Sequence, residues 1–289
     1  MNHAFLILAH DSPELLQRIV DRLEAPNHYI FIHLDKKSND KHIRITRGGY
    51  LSEDKRIKVF HGGFSMILAE LALLGEAFHY DVNIDYFHLI SGHDYPCVSN
   101  QEFDHYFEYA PQGRSYMHYD TDEQHVKWKE KIEQRVNRWH LVNFRGGKVI
   151  SVFTRTVFTW FVPRKYEGEL YAGWQWFSWH RSLVEWVLSY SNNHPEYLKR
   201  FHNTLCCDEV LFHTLLYPYI EQLNIEKNNA LRYIDWSPKR PTKTLPLVLD
   251  ERDYDSILSN GTLFCRKCFS DKSCKLLDMI DKKIAVIDK

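Results

Sequence analysis

Through the first 110 positions the apolar residues come in short unbroken runs, separated by stretches of helical period. Phe5-Leu-Ile-Leu-Ala9 and Tyr29-Ile-Phe-Ile-His-Leu34 are the runs expected of parallel strands covered on both faces. Positions 57–60 predict a short third strand, and Tyr86-Phe-His-Leu-Ile90 a fourth. Between them, positions 13–23 predict a helix, with Ser12 as N-cap and Pro13 at the first helical position. Gly62-Gly63 predicts a turn, 66–79 an amphipathic helix and 100–109 another. Strand–helix alternation of this kind implies right-handed crossovers in an α/β fold, an open and mostly parallel Rossmann-like sheet flanked by helices.

The pattern changes after position 110. Positions 113–165 are rich in charge and tryptophan, with a helix over 123–139 whose default reading is a solvated face. A strand is expected at 172–178, and helices at 180–190, 194–203 and 207–216. The last strand expected is 231–236, followed by a basic loop over 237–246 and further elements at 250–258, 262–269 and 272–287. No internal repeat, low-complexity tract or flexible linker interrupts the 289 residues, which suggests one domain with insertions.

In open sheets ligands bind beyond the carboxyl ends of the strands. Three polar groups fall there: His10-Asp11-Ser12, Asp35-Lys36-Lys37 and Ser91-Gly92-His93-Asp94. Asp35 or Asp94 taken alone could merely cap a turn; three strand ends together favour a pocket.

Composition narrows the classes. Apolar residues at 44% and charged residues at 26% disfavour both disorder and a membrane bundle. A net charge of −1 is no footprint of a nucleic-acid binder. No stretch reaches the ~18 consecutive apolar residues of a membrane helix; the longest candidate, 151–162, carries Arg155. The opening MNHAFLILAHDS lacks the basic lead and cleavage site of a signal peptide. The expectation is a cytoplasmic protein, with the basic and aromatic cluster at 153–165 able either to touch a membrane surface or to pack as a buried amphipathic segment. The six cysteines are then expected as free thiols; Cys265-Arg-Lys-Cys268 has the spacing of half a zinc site, but no second pair stands out.

Several motifs are missing. There is no G-x-G-x-x-G after the first strand, no P-loop, no G-x-S-x-G and no H-E-x-x-H. Asp120-Thr-Asp122 has the spelling of a metal-holding D-x-D but lies away from any expected strand end. What remains is the acidic pair Asp208-Glu209, with Lys243 and Lys267 in the C-terminal part. A carboxylate at a helix start can be simple dipole compensation. It can also be a general base, and lysines near a diphosphate can stabilise a leaving group as a metal does.

These residues resemble the core-2/I-branching β-1,6-N-acetylglucosaminyltransferases, a family that includes peptide O-xylosyltransferases. Phe5-Leu-Ile-Leu-Ala-His10 with Glu14-Leu-Leu resembles the family's opening strand and helix. Ile32-His-Leu-Asp-Lys-Lys37 is similar to its I-H-x-D-[KR]-K. Phe60-His-Gly-Gly-Phe-Ser65 with Ala69 is similar to W-G-G-x-S…A, His61 standing where Trp is usual. His88-Leu-Ile-Ser-Gly-His-Asp-Tyr-Pro96 resembles S-G-x-D-[YF]-P, and Gly173-Trp-Gln-Trp-Phe-Ser-Trp-His-Arg181 resembles G-x-x-W-x-x-L-x-R. Cys207-Asp-Glu-Val-Leu-Phe212 resembles P-D-E-x-[FLY]-[FW], and Leu263-Phe-Cys-Arg-Lys267 resembles L-F-A-R-K-F. Each is weak alone; seven in one order are specific.

The resemblance implies a GT-A-like glycosyltransferase fold, an inverting mechanism, a UDP-sugar donor and no need for a metal or other cofactor. It places the catalytic base at Glu209 and the diphosphate contacts at Lys267 and Lys243, with Arg240 competing for the second place. Donor contacts are implied for Leu8, Ala9, His10, Asp35, Lys36, Lys37 and His61, and expected for Asp94 at its strand end. Trp236 matches an aromatic that stacks on the acceptor sugar, against the plainer reading of a core tryptophan ending a strand. Acceptor contacts are also expected somewhere in 114–131. On this reading residues 1–289 are one glycosyltransferase domain, with a nucleotide-binding half at 1–110 and an acceptor-binding, catalytic half at 111–289. N-acetylglucosamine is the first donor sugar and a glycan or lipid-linked saccharide the acceptor. The alternatives are a UDP-xylose enzyme of the same family or a non-catalytic carbohydrate-binding protein. The absence of an anchor or stem suggests a bacterial relative working at the cytoplasmic face of a membrane.

Overall fold

The computed structural model describes residues 1–39, 43–140, 162–241 and 245–287. Strand β1 (His3–Ala9) is followed by helix α1 (Pro13–Leu23) and strand β2 (His28–Leu34), as the apolar runs predict. Ser12 stands at the N-cap position, but in the left-handed region and without a side-chain capping bond.

The third strand is not where the hydrophobic run put it. Strand β3 is Gly48–Tyr50, parallel to β2 at the edge of the sheet. Residues 57–60 run outside the sheet. The Ile57 N–H donates to His33 Nε2 at 2.9 Å, and its carbonyl accepts from the Lys36 N–H, so neither group is left for a ladder. Gly48 has φ +96°, and a Cβ there would lie 2.0 Å from the Ile30 carbonyl oxygen, so only glycine lets this edge dock.

Helix α2 (Ser65–Phe78), strand β4 (Tyr86–Ser91), the two-residue strand β5 (Tyr95–Pro96) and helix α3 (Asn100–Tyr109) complete the first part. Strand β6 (Ser115–Tyr119) and helix α4 (Asp122–Asn137) occupy the charge-rich middle, where no strand was expected. Strand β7 (Gly173–His180) leads into helices α5 (Arg181–Asn193) and α6 (Pro195–Arg200). The single helix expected over 207–216 is broken. Cys207–Glu209 form a 3-10 turn, Val210 leaves helical geometry at φ −127°, and helix α7 covers only Leu211–Leu216. Strand β8 (Ile225–Glu226), strand β9 (Arg232–Ile234), helix α8 (Tyr254–Asn260), strand β10 (Phe264–Arg266) and helix α9 (Cys274–Ile287) follow.

Among the described residues the main sheet has seven strands in the order β3-β2-β1-β4-β7-β6-β8. Its first four strands are parallel; β7 pairs antiparallel with both β4 and β6. Both faces are covered. Along β1, Ala4, Leu6 and Leu8 join the core beneath α2 and α5, while Phe5, Ile7 and Ala9 join the core beneath α1, α3 and α9. This is the GT-A-like α/β architecture the resemblance implies. A second sheet, β5-β10-β9, carries the C-terminal part back to the exit of β4. Among the described residues no helix is long and apolar enough to cross a membrane. The cluster considered for membrane contact lies outside the described residues up to position 161.

Candidate active site

At the carboxyl ends of β1, β2 and β4 a cavity of about 230 Å³ opens. Leu8, Ala9 and His10 line it from β1; His33, Asp35 and Lys37 from β2; Ser91 and His93 from β4. Val59, His61 and Met66 close one side, Gln175 and Trp176 of β7 another, and Arg266 and Lys267 of β10 and its exit a third. Larger hollows of about 610 and 400 Å³ flank α4; the second opens at the end of β6, but Asp120, Asp122 and Glu169 line it with Lys227 as the one lysine or arginine among the described residues.

The two sheets meet at this cavity through a mutual lock. The Cys268 N–H donates to the His93 carbonyl at 2.9 Å, and His93 Nδ1 lies 3.0 Å from the Cys268 carbonyl. This brings Arg266 and Lys267 beside residues of β1 and β4. The Arg266 guanidinium sits 4.1 Å from the Trp176 ring centroid and donates to Asp94 Oδ2 at 2.8 Å. Burial, with Arg266 beside it, pushes the Lys267 ammonium below its ordinary range. Burial also lowers His33. Lys37 is drawn to Asp35 at 3.5 Å.

Asp94 does not line the cavity. It is fully buried, and its carboxylate is taken up by the protein. Oδ2 accepts from the Ser91 N–H, the Ser91 hydroxyl and Arg266; Oδ1 lies 2.8 Å from Arg232 Nε as an ion pair not aligned as a hydrogen bond. Burial alone would push this carboxyl up, but Arg266, Arg232 and Ser91 together hold it below its usual value. Asp94 therefore reaches a ligand only through Arg266 and Ser91.

Glu209 stands outside the cavity lining, on the 3-10 turn, and accepts from Arg135 at 2.8 Å. The turn is tied to Gly62, the neighbour of His61 in the cavity lining, whose carbonyl accepts from the Cys206 N–H at 2.7 Å. Gly62 adopts φ +69°, and a Cβ there would stand 3.2 Å from Cys206 Sγ. Behind Glu209 lies a buried acidic pair. Burial, and then Glu209, raise Asp208 to about 7. Glu70 of α2 is wholly buried, and burial followed by Asp208 pushes it well above the carboxylate range. Its Oε1 accepts from the Gln175 amide at 2.6 Å, while its Oε2 has no hydrogen-bond partner among the described residues. Gln175 in the cavity wall is thus bonded to Glu70, whose charge is felt together with those of Asp208 and Glu209.

Of the residues expected from sequence, Leu8, Ala9, His10, Asp35, Lys37, His61 and Lys267 come together in the cavity; Lys36 is not in its lining. Trp236 is 47% exposed just beyond β9, which sets aside the core reading. Arg240 is committed to Asp253 and to the Val248 carbonyl. Lys243 lies outside the described residues. Sequence reasoning missed Glu70, Arg135, Gln175 and Arg266. Arg266 and Gln175 lay inside quoted motifs, and Glu70 directly follows Ala69 of another. Arg135 carried no signal beyond a charge-rich helix.

The Core-2/I-Branching enzyme family model matches residues 3–258. The beta-glucuronosyltransferase GlcAT14B of Arabidopsis thaliana is 23% identical over 289 aligned residues, covering 94% of this chain and 63% of that protein. Beta-glucuronosyltransferase GlcAT14A of the same plant is 23% identical over 286 residues, 93% of this chain and 61% of its own length. Xylosyltransferase 1 of Rattus norvegicus is 23% identical over 251 residues, 82% of this chain and 28% of that protein. The chain thus spans less than two thirds of the length of these relatives.

Proposed function

The chain belongs to the core-2/I-branching enzyme family, and on that footing we propose that it transfers a sugar from a UDP-sugar to a hydroxyl of a glycan or lipid-linked saccharide. The observation that carries this reading is the meeting of three strand ends with Arg266 and Lys267 in one cavity. A nucleoside diphosphate needs that combination: polar strand ends for the nucleoside, fixed positive charge for the phosphates.

The chemistry is a single inverting displacement. Glu209 takes the proton of the acceptor hydroxyl as its oxygen attacks the anomeric carbon. The bond to the β-phosphate oxygen breaks, and Lys267 with Arg266 stabilises the charge left on UDP, so turnover needs no divalent ion. Trp236, exposed beyond β9, offers its ring face to the acceptor. N-acetylglucosamine was the donor sugar expected from sequence. The relatives named as glucuronosyl- and xylosyltransferases put UDP-glucuronic acid and UDP-xylose beside it as donors to compare.

The test is UDP release from the three donors, with and without EDTA and with a panel of glycan acceptors. Activity should survive chelation and fall by roughly 10²–10⁴-fold in Glu209→Gln, the range for losing a general base, with UDP binding retained. Lys267→Ala should lose UDP affinity and rate together. Full activity in Glu209→Gln removes that residue from its role, and glycan binding without donor consumption replaces the enzyme by a lectin-like protein.

A further inference from the structure

We propose that His10, Asp11 and His93 form a site for a borderline divalent transition-metal ion of the zinc class at the mouth of the cavity. The three residues come from the exits of β1 and β4, and their ligating atoms all lie within 4.8 Å of one another. His93 Nε2 is 3.3 Å from Asp11 Oδ1, and His10 Nε2 is 3.4 Å from Asp11 Oδ2. Bonds of about 2.0–2.1 Å at tetrahedral angles set neighbouring ligand atoms about 3.3 Å apart; each imidazole stands near that separation from one Asp11 oxygen, His93 from Oδ1 and His10 from Oδ2, so a small turn of the exposed carboxylate presents one oxygen to both.

The stronger argument is the tautomer of His93. Its Nδ1 lies 3.0 Å from the Cys268 carbonyl oxygen, which can only accept, so Nδ1 carries the hydrogen. In the neutral ring Nε2 is then a lone pair, and it faces a carboxylate oxygen. Two acceptors at this distance call for a positive particle between them. A metal ion meets the same demand by bonding to both. An imidazole whose second nitrogen donates to a backbone carbonyl is also the usual outer support of a metal ligand. Two imidazoles and one carboxylate select a zinc-class ion over magnesium or calcium, which prefer all-oxygen sets.

His93 is nearly fully buried and held in place, whereas the side chains of His10 and Asp11 are 61% and 47% exposed and can turn to complete the set. Three protein ligands leave a position open, and His10 and His93 both line the cavity, so that position faces it. The site is an addition to the proposed sugar transfer, whose charge stabilisation comes from Arg266 and Lys267. Its test does not depend on any activity.

Metal-free protein is titrated with Co²⁺, followed by its visible d–d absorption, and the bound cobalt is displaced with Zn²⁺. One saturable site per chain is expected. Affinity should fall at least about tenfold in Asp11→Asn, His10→Ala and His93→Ala, and stay unchanged in His105→Ala, a histidine on an exposed face of α3. Because His93 is buried, melting curves accompany each variant; the exposed pair Asp11→Asn and His10→Ala decides the question if His93→Ala does not fold. Absence of saturable binding, or equal affinity in those two variants and the parent, overturns the site.

Discussion

Asp94 is the residue whose removal says most about how the cavity holds its charge. It is fully buried between two arginines, and the Arg232 side chain opposite it is fully buried as well. Replacing Asp94 by alanine leaves Arg232 without its counter-charge and frees Arg266 from its 2.8 Å anchor. Breaking a buried pair from one side costs about 3–5 kcal/mol, because the remaining charge keeps its desolvation penalty. An unfolding entropy near 2.1 cal/mol/K per residue, over 289 residues, gives about 0.6 kcal/mol/K, so the melting temperature should drop by about 5–8 °C. Asp94→Asn keeps the shape and can still accept from Ser91, but it supplies no charge to either guanidinium, so most of the drop should remain. Differential scanning calorimetry of both variants, with UDP affinity measured on each, is the assay. A melting temperature within about a degree of the parent, combined with lost UDP binding, would refute the reasoning. It would mean that the carboxylate serves a ligand directly and that the arginines do not depend on it.

Two further outcomes follow from buried groups elsewhere. Glu70 keeps its proton in the folded chain where the unfolded chain sheds it, so its contribution to stability shrinks as pH rises above about 4.5, by up to about 1.4 kcal/mol per unit until its folded pKa is passed. Glu70→Gln should therefore gain on the parent in urea unfolding between pH 5 and pH 8; a difference independent of pH would count against a protonated Glu70. Gly48→Ala should lose roughly 1–3 kcal/mol from the left-handed backbone alone, before the contact with the Ile30 carbonyl is added. A chemical melt matching the parent would show that β3 contributes nothing.

The parallel centre of the sheet was legible because strands buried on both faces carry unbroken apolar runs, and β1, β2 and β4 all do. The edge was not. Gly48 and Gly49 carry no β-signal, and they form a strand because one of them alone can approach Ile30. The run at 57–60 has the right composition, yet a histidine side chain takes the N–H a ladder would use. The helix expected over 207–216 had the right period; the break at Val210 separates Asp208 and Glu209, in a 3-10 turn, from the helix that follows. The seven cavity residues named from sequence were legible through motifs, since each motif sits at a strand end or on a loop that reaches one. Asp94 belongs to such a motif too, but its local sequence cannot say which way a carboxylate turns when its partners are Arg232 and Arg266, far along the chain.

That turn decides the chemistry the cavity can support. One carboxylate set between two arginines leaves a positive surplus, and Arg266 carries it to the cavity wall beside Lys267. Lys37, by contrast, is balanced by Asp35 within the same wall. The net positive side is therefore the one built by β10 and its exit, and the nearly neutral side the one built by β2. An extended anion with an uncharged ring at one end fits that division: the ring between the ends of β1 and β2, the phosphates against β10. Reversing the surplus with Arg266→Glu would replace the guanidinium at the cavity wall by a carboxylate beside buried Asp94, and on the proposed function UDP affinity should be lost even if the fold tolerates the change. Retained UDP affinity in that variant would move the diphosphate away from β10 and with it the whole orientation of the donor.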